Sequence, residues 1–448
     1  MTFDNFKLLV VEAAKEQGIT EYELYYATAE GTSVSVFAHE VSEFSSEVAG
    51  GVCFRCIVDG KMGYASTEEL SEAQAKSIVR RAADNASVLE TDDEEFLAEG
   101  VKTYESFEHK TYELPTTEEL VETALKAQET VYAADECVID GTSTMAATET
   151  SAVAIFNSKG LDLHYENRVA VIMTDAVTTN GEEMSNDRGI KTGSFAELDL
   201  EKLAKEAVDS AKAKLGADVA PTGAYPVVFA PKAMASFLRV FSSAFSSSEA
   251  QKGLSPYAGK EGTKIAADIV SIIDDPFYKD STTPINFDAE GSPTHTKSVV
   301  EKGELKTLLY NLKTAAIAGV ETTGNASKAS YDSTVEIRPF TMYIAPGDIT
   351  EEELIKKAGN GVYIDSLGGL HAGANTVSGD FSLQSEGFMI EGGVKTKAVK
   401  SFTVAGNFYT MLSQITAISD KVELPGMGGV TAFGSPAVLV EGLSIAGK

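Results

Sequence analysis

Apolar and polar residues alternate along this chain with two different periods, and these periods predict its secondary structure. Residues 6–13 place apolar side chains at steps of three and four, the spacing of an amphipathic helix. Residues 34–38 alternate at every second position, residues 51–58 continue in the same style, and Asp59-Gly60 indicates a turn after them. The N-terminal part is therefore predicted to mix strands with helices.

Capping signals predict where several helices begin. A serine or threonine followed three residues later by glutamate has the spacing of a capping box, in which the two residues satisfy each other's backbone amides. Residues 66–69, 116–119 and 350–353 have this pattern and predict three helix starts. Further strands are predicted at residues 152–156 and 161–176.

The second half of the chain is dominated by predicted hairpins. Apolar runs flank a turn at Lys302-Gly303, and others flank Gly392-Gly393. A glycine pair tolerates the backbone angles of a two-residue reverse turn, so the second site in particular predicts a tight hairpin.

A boundary separates the two halves. A helical stretch over residues 198–215 is followed by Pro221 and Gly223, which break helices, and then by an apolar run that predicts a first strand. The predicted fold class is α+β with two domains. We expect an α/β-like N-terminal domain over residues 1–218 and a β-rich C-terminal domain over residues 225–448.

Charge also distinguishes the halves. Of the 67 acidic residues, 43 precede residue 221, together with only 18 of the 37 basic residues, so most of the net charge of −30 lies in the N-terminal half. Binding to nucleic acid requires cations that replace the counterions of the phosphates, so no direct nucleic-acid partner is expected. The favoured interpretation of the acidity is solubility, and the alternative is an acidic docking surface.

The sequence predicts a cytoplasmic protein without membrane contact. No apolar run approaches the roughly 18 residues that a membrane helix needs, and the first residues predict an amphipathic helix rather than a signal peptide. Three cysteines without a secretory signal argue against a disulfide framework.

The histidines and cysteines do not form a recognisable metal motif. The closest pair of histidines is 55 residues apart, whereas a histidine-based zinc site usually draws two ligands from one short element. His39-Glu40 begins an HExxxH pattern, but Phe44 stands at its last position. Cys53 and Cys56 form a CxxC, but residues three apart on a strand point to opposite faces and cannot share a metal.

Asp288, Glu290 and His295 are the best local group of potential oxygen and nitrogen ligands. They lie in a loop with Gly291 and Pro293, where carboxylates often accept hydrogen bonds from backbone amides. That structural role is the favoured interpretation, and a metal or acid–base site is the alternative.

Several short motifs occur in the order found in one protein family. The N-terminal motif is residues 51–65 (GVCFRCIVDGKMGYA). The C-terminal motifs are residues 288–293 (DAEGSP), 301–305 (EKGEL), 323–326 (TGNA), 373–382 (GANTVSGDFS), 387–393 (GFMIEGG) and 435–447 (SPAVLVEGLSIAG). By these motifs the chain resembles the TldD/PmbA peptidase family along nearly its whole length, and its ending resembles the branch called PmbA or TldE.

This resemblance also points to a departure from the family. In the TldD branch, an HExxxH motif on the helix after the strand at residues 225–229 binds zinc together with a late cysteine. The motif would fall near Arg239, Val240 and Ala244 here, where no ligand stands, and no cysteine follows Cys137. An apolar stripe on that helix predicts a core or interface helix instead. We therefore expect no catalytic residue, metal or cofactor in this chain, and zinc only in a TldD-like partner.

The resemblance implies a PmbA/TldE-like subunit of a cytoplasmic metallopeptidase complex. Its partner would be a TldD-like HExxxH subunit, and the pair would degrade or mature small or unfolded peptides. The family's older label, modulator of DNA gyrase, implies an indirect effect. His371 and Asp380, in the most family-specific loop, are the candidates for contact with peptide.

Two alternatives from other functional classes remain open. The chain could be an independent hydrolase with a site around Asp288, Glu290 and His295. It could also be a homodimeric peptide-binding or scaffolding protein that holds peptides without cutting them. Copurification with a partner and metal content would separate the three.

Overall fold

The computed structural model describes residues 1–90, 94–100, 103–108, 112–426 and 431–448. Its N-terminal half is built on a six-stranded sheet with the strand order β3-β2-β1-β4-β5-β6. The elements of this half are α1 (Phe3–Glu16), β1 (Glu21–Phe37), β2 (Glu40–Val58), β3 (Lys61–Thr67), α2 (Glu72–Ser87), α3 (Thr117–Ala134), β4 (Ser143–Asn157), β5 (Asp162–Thr179), β6 (Met184–Thr192) and α4 (Leu200–Ala213).

Every neighbouring pair of strands in this sheet is antiparallel. The N-terminal half is therefore not α/β-like, and that part of the prediction is wrong. The physical reason is the connections: β1 and β2 join through Ala38-His39, whose φ angles of 49° and 66° make a tight reverse turn, so no crossover helix is needed. His39 consequently lies in this turn and not in a strand.

The two faces of the sheet are covered by different parts of the chain. Leu24 and Val34 lie on the face that packs against the four helices of this half. Tyr25 and Cys53 lie on the opposite face and pack against Phe287 from the C-terminal half. Cys56 belongs to the helix-covered face, so the two cysteines of the CxxC do point to opposite sides, as the strand period predicted.

The C-terminal half contains sheets of seven, five and two strands. Its elements are β7 (Asp218–Val219), β8 (Gly223–Phe229), α5 (Pro231–Phe241), α6 (Ser247–Gln251), β9 (Ile272–Asp274), β10 (Lys297–Glu301), β11 (Glu304–Leu305), α7 (Leu312–Ala318), β12 (Ala326–Ser327), β13 (Glu336–Ile337), β14 (Thr341–Ile344), α8 (Glu351–Ala358), β15 (Gly361–Gly368), α9 (Leu370–Gly373), β16 (Asp380–Glu391), β17 (Val394–Asn407), α10 (Phe408–Met411), β18 (Ile415–Ile418), β19 (Ala432–Gly434) and β20 (Val438–Ala446). The overall class is α+β, as predicted.

Most local signals in the sequence are confirmed. The hairpin β10–β11 turns at Lys302-Gly303, and β16–β17 turns at Gly392-Gly393. The capping boxes beginning at Thr116 and Thr350 are both formed. The box predicted at residues 66–69 is wrong, because β3 continues to Thr67 and α2 is capped by Ser71 instead.

An ionic square is one of the contacts between the halves. Lys214, which follows α4, lies 2.8 Å from Asp187 of β6 and 3.4 Å from Asp365 of β15. Lys232 in the first turn of α5 lies 2.8 Å from Asp365 and 3.3 Å from Asp187. The alternation of two cations and two anions fixes the first turn of α5 against the N-terminal half.

No helix in the described ranges combines the length and apolar character that crossing a membrane requires.

Candidate functional site

Helix α5 is the element on which a zinc motif would be expected. Pro231 occupies its first turn, where a missing backbone N–H costs nothing. Phe237 packs edge-on against Phe381 at 4.8 Å, and Phe241 stacks on Phe408 at 4.4 Å between ring centroids. The apolar stripe of α5 is thus fully buried, which confirms its prediction as a core helix.

The three positions of the lost motif do not fit a zinc ion. Arg239 is exposed, Val240 is partly buried and Ala244 is buried. A guanidinium, an isopropyl group and a methyl group offer no lone pair to Zn²⁺. Within the described ranges, no group of three or more histidine, cysteine, aspartate or glutamate residues is placed to hold a metal. The side chains at these three positions therefore supply no metal ligand.

An open groove lies beside α5. It has a volume of about 600 Å³ and is lined by residues 372–376 and 380–382. Phe381 forms part of its wall and also contacts Phe237, so the groove rests on the core that α5 builds. The hydroxyl of Tyr409 donates to the carbonyl of Thr376 and ties one wall to the same core.

Asp380 lines this groove and shapes it. Its carboxylate accepts hydrogen bonds from the Asn407 side chain and the Ser378 hydroxyl, each at 2.9 Å. These two bonds hold the pKa of Asp380 below its ordinary value. His371 is exposed on α9 and is not among the residues that line the groove. The structure therefore places one of the two peptide-contact candidates in the groove.

Asp288 and Glu290 lie away from the groove, in a buried loop that packs against the N-terminal sheet. The Asp288 carboxylate accepts hydrogen bonds from the backbone amides of Glu290, Ser292 and Ala326, each at 2.9 Å. Glu290 in turn accepts a bond from the Leu312 amide at 2.9 Å. The carboxylates thus hold the loop in shape, which is the role that its glycine and proline suggested.

Arg55 joins these carboxylates to the other half of the chain. Its guanidinium lies 2.7 Å from Glu23 on β1 and 3.6 Å from Glu290. Arg55 is 3% exposed, Glu23 1% and Glu290 4%, so the charges meet away from water. We call Glu23, Arg55, Asp288 and Glu290 the junction cluster.

Burial governs the protonation of the junction cluster. Desolvation, reinforced by the charge of Glu290, raises the pKa of Asp288. Desolvation also raises the pKa of Glu290, although the Arg55 charge opposes it. Desolvation is the largest single effect on the pKa of Arg55 and lowers it, but Glu23, Tyr64 and Glu290 together outweigh desolvation and raise this pKa well above its ordinary value. The cluster is too enclosed for a substrate to reach, so its geometry supports a structural role.

His295 does not join Asp288 and Glu290. It is exposed, and desolvation together with the Lys297 charge lowers the pKa of its imidazole. The structure therefore brings together two members of the predicted group of three. Arg55 and Glu23 were not among the predicted site residues. For Arg55 the sequence offered one signal, a charged residue inside the otherwise apolar run of residues 51–58, whereas Glu23 follows Glu21 and does not stand out.

Comparisons with known proteins match nearly the whole chain to one family. Sequence models described as PmbA/TldA metallopeptidase domain 1, central domain and C-terminal domain match residues 22–86, 110–215 and 222–447. They divide the chain into three segments, so the division into two domains stays a prediction.

Individual relatives agree with these models. A metalloprotease from Methanothermobacter thermautotrophicus is 28% identical over 413 residues, which cover 90% of this chain and 88% of that protein. A metalloprotease PmbA homolog from Haemophilus influenzae is 26% identical over 429 residues, covering 92% of this chain and 90% of that protein.

Solved structures share the whole fold. The "putative modulator of a DNA gyrase" from Thermotoga maritima matches with a TM-score of 0.89 and 30% identity, over 99% of this chain and 100% of that chain. TldE from Thermococcus kodakarensis matches with a TM-score of 0.87 and 24% identity, over 98% and 99% of the two chains, and this likeness shows the fold alone.

Removing the arginine of the junction cluster tests its structural role. We expect Arg55→Met to lower the free energy of unfolding by about 3–5 kcal/mol, because it leaves two buried carboxylates without their cation. The matched control is Arg338→Met, since Arg338 pairs with Glu336 on the surface and such pairs contribute about 0–1 kcal/mol. Urea denaturation measures both. Equal losses for the two variants would contradict the structural role.

The raised pKa of Asp288 predicts a pH dependence of stability. Above about pH 4 an unfolded chain releases this proton, while the folded chain keeps it until the pH reaches the raised pKa. The contribution of Asp288 to the free energy of unfolding is therefore largest at low pH and is lost as the pH rises to the raised pKa. We expect the stability of the wild type relative to Asp288→Asn to decline between about pH 5 and pH 8.

The control for this pH dependence is Asp380→Asn. Because the pKa of Asp380 is lowered, its contribution is lost only as the pH falls, and the difference from the wild type should stay constant over the same range. Urea denaturation at a series of pH values checks both variants. A constant difference for Asp288→Asn would show that its carboxyl is already ionised in the fold.

Proposed function

The chain belongs to the PmbA/TldD family of metallopeptidases, and we propose that within it the chain is the metal-free partner of a TldD-like HExxxH subunit. The complex would act in the cytoplasm on small or unfolded peptides. This chain would supply an interface and a wall of the peptide-binding space, and the partner would supply zinc and the activated water.

The observation that carries this proposal is the composition of α5. The helix keeps its place after strand β8, but Arg239 and Val240 on it, and Ala244 just after its end, stand at the histidine and glutamate positions of the family's HExxxH motif. A buried aromatic stripe holds the helix in the core, so the fold does not depend on a metal at this place.

The open groove supports a role in holding peptide. It is lined largely by small residues, so the backbone of an extended peptide can approach its wall closely. Asp380 keeps the groove in shape through its bonds to Ser378 and Asn407. In this proposal Asp380 is a positioning residue, and His371 stands outside the groove as a candidate for contact with longer peptides.

An independent hydrolase is less well supported by the geometry. Asp288 and Glu290 are enclosed and committed to backbone amides and Arg55, and His295 does not join them. A peptide-holding protein without turnover is the stronger second candidate, because the groove alone could serve it.

Reconstitution of the complex tests the proposal. We expect the purified chain to contain no stoichiometric zinc and to leave peptides uncut, and to form an active complex with a zinc-loaded TldD-like subunit. A chelator should abolish cleavage without separating the subunits, because the zinc ligands belong to the partner. Size-exclusion chromatography, elemental analysis and a peptide-cleavage assay measure these properties.

Two outcomes of the reconstitution would overturn the proposal. Zinc in the isolated chain, or cleavage by the chain alone, would favour the independent hydrolase. Peptide binding that never leads to cleavage, even with the partner present, would favour the scaffolding role.

Filling the groove tests its part in peptide binding. Ser382 lines the groove and is exposed, so Ser382→Trp should raise the KM of the complex for peptides by about tenfold while kcat changes little. The matched control is Gln384→Trp, two residues further along β16 and outside the groove lining. Steady-state kinetics measures both. Equal KM values for the two variants would remove the groove from the peptide-binding space.

A further inference from the structure

Strand β2 has an open edge. Its residues 52–58 pair with β3 on one side, whereas residues 40–51 pair with β1 alone. Among the described residues, none adds a strand to the free side of this segment. We call residues 40–51 the open edge. Fully extended, it is about 40 Å long and carries backbone N–H and C=O groups available for another strand.

The open edge places its large apolar side chains on one face of the sheet and its glutamates on the other. Val41, Phe44 and Val48 pair across β1 with Val36, Val34 and Glu30, which places them on the face of the sheet that carries the helices. A register shift at this end of the hairpin leaves Ser42 as an extra residue, so Val41 and Phe44 share a face although they are three positions apart.

The opposite face of the open edge is acidic. Glu40, Glu43 and Glu47 pair across β1 with Phe37, Ser35 and Gly31, and all three glutamates are exposed. One strand edge thus presents an apolar row on one side of the sheet and a carboxylate row on the other.

The apolar row is left unburied by the chain's own helices. Val34 and Val36 on the neighbouring strand are fully buried against α3, but Val41 is 42% exposed, Phe44 50% and Val48 77%. A strand added at the open edge would extend the sheet and cover these side chains.

The hairpin is anchored, so the open edge is held in an extended form before anything binds. The Gln128 side chain on α3 accepts a hydrogen bond from the His39 amide at 2.8 Å and donates to the Val36 carbonyl at 2.9 Å. The His39 ring lies against Tyr132, with 4.4 Å between the centroids. A preformed edge loses little conformational entropy when a strand adds to it.

We propose that the open edge binds an extended peptide segment of a different protein by strand addition, and that this segment alternates apolar residues with lysine or arginine. The apolar residues would cover Val41, Phe44 and Val48. The basic residues would lie opposite Glu40, Glu43 and Glu47, where cross-strand pairs of opposite charge are favourable.

Charge disfavours a second copy of this chain as the occupant. Two open edges paired antiparallel would place six carboxylates on the same face of adjacent strands, and like charges directly opposite each other are destabilising. The same repulsion disfavours acidic segments. The proposal does not rest on the proposed enzymatic role, because it concerns the isolated chain.

A binding measurement with synthetic peptides tests the proposal. The probe is a fluorescent twelve-residue peptide that alternates valine and lysine, and its partner probe alternates valine and glutamate. We expect the full chain to bind the lysine peptide at least about tenfold more tightly. In the variant Glu40→Lys/Glu43→Lys/Glu47→Lys this preference should be reversed. Fluorescence anisotropy measures all four affinities.

The matched control separates the open edge from general attraction to an acidic protein. The variant Glu321→Lys/Glu391→Lys/Glu441→Lys changes the net charge equally at exposed positions elsewhere, and it should keep the preference of the wild type. If this control variant also loses or reverses the preference for the lysine peptide, net charge explains the binding and the proposal fails.

Backbone pairing needs its own control. A lysine peptide that is N-methylated at every second residue, on the amides that would face the edge, should lose binding because it cannot donate to the strand. Equal binding by the methylated peptide would overturn strand addition. So would an open edge that binds neither peptide while the chain dimerises in analytical ultracentrifugation, since the occupant would then be a second copy.

Discussion

The buried charge of Arg55 is the constraint on which the arrangement of this molecule depends. A guanidinium cannot remain unpaired inside a protein, and its two carboxylate partners come from different halves of the chain. Glu23 belongs to the same sheet, whereas Glu290 arrives on a loop that Asp288 shapes through three backbone amides. The C-terminal half, with its groove and α5, is therefore seated on the N-terminal sheet at a fixed place.

The sequence predicts local features such as helix caps and hairpin turns, but it does not predict which distant residues pair. The apolar stripe of α5, the capping boxes at Thr116 and Thr350, and the hairpin glycines follow from steric and hydrogen-bonding preferences of a few adjacent residues. The pairing of Arg55 with Glu290 depends on which surfaces meet after folding. The sequence shows the isolated charge of Arg55 within an apolar strand but not its partners.

The N-terminal sheet shows why strand lengths were underestimated. Residues 34–38 and 51–58 suggested short strands, but β1 and β2 have 17 and 19 residues. Residues 40–50 are rich in serine and glutamate, and the extra residue Ser42 shifts the alternation by one position. The apolar row of the open edge is therefore invisible to a strict period of two, and antiparallel pairing with β1 reveals it.

The packing around α5, and not only its sequence, is unsuited to the zinc motif. Arg239 is exposed, so a histidine there would meet no steric obstacle. Ala244 is only 2% exposed and lies in the same core as Phe241 and Phe245, so an imidazole at that position would overpack the core and bury a polar ring. Restoring the motif would therefore require the aromatic core to be rebuilt around it. Position 244 is therefore part of the aromatic core and not of a surface that can take an imidazole.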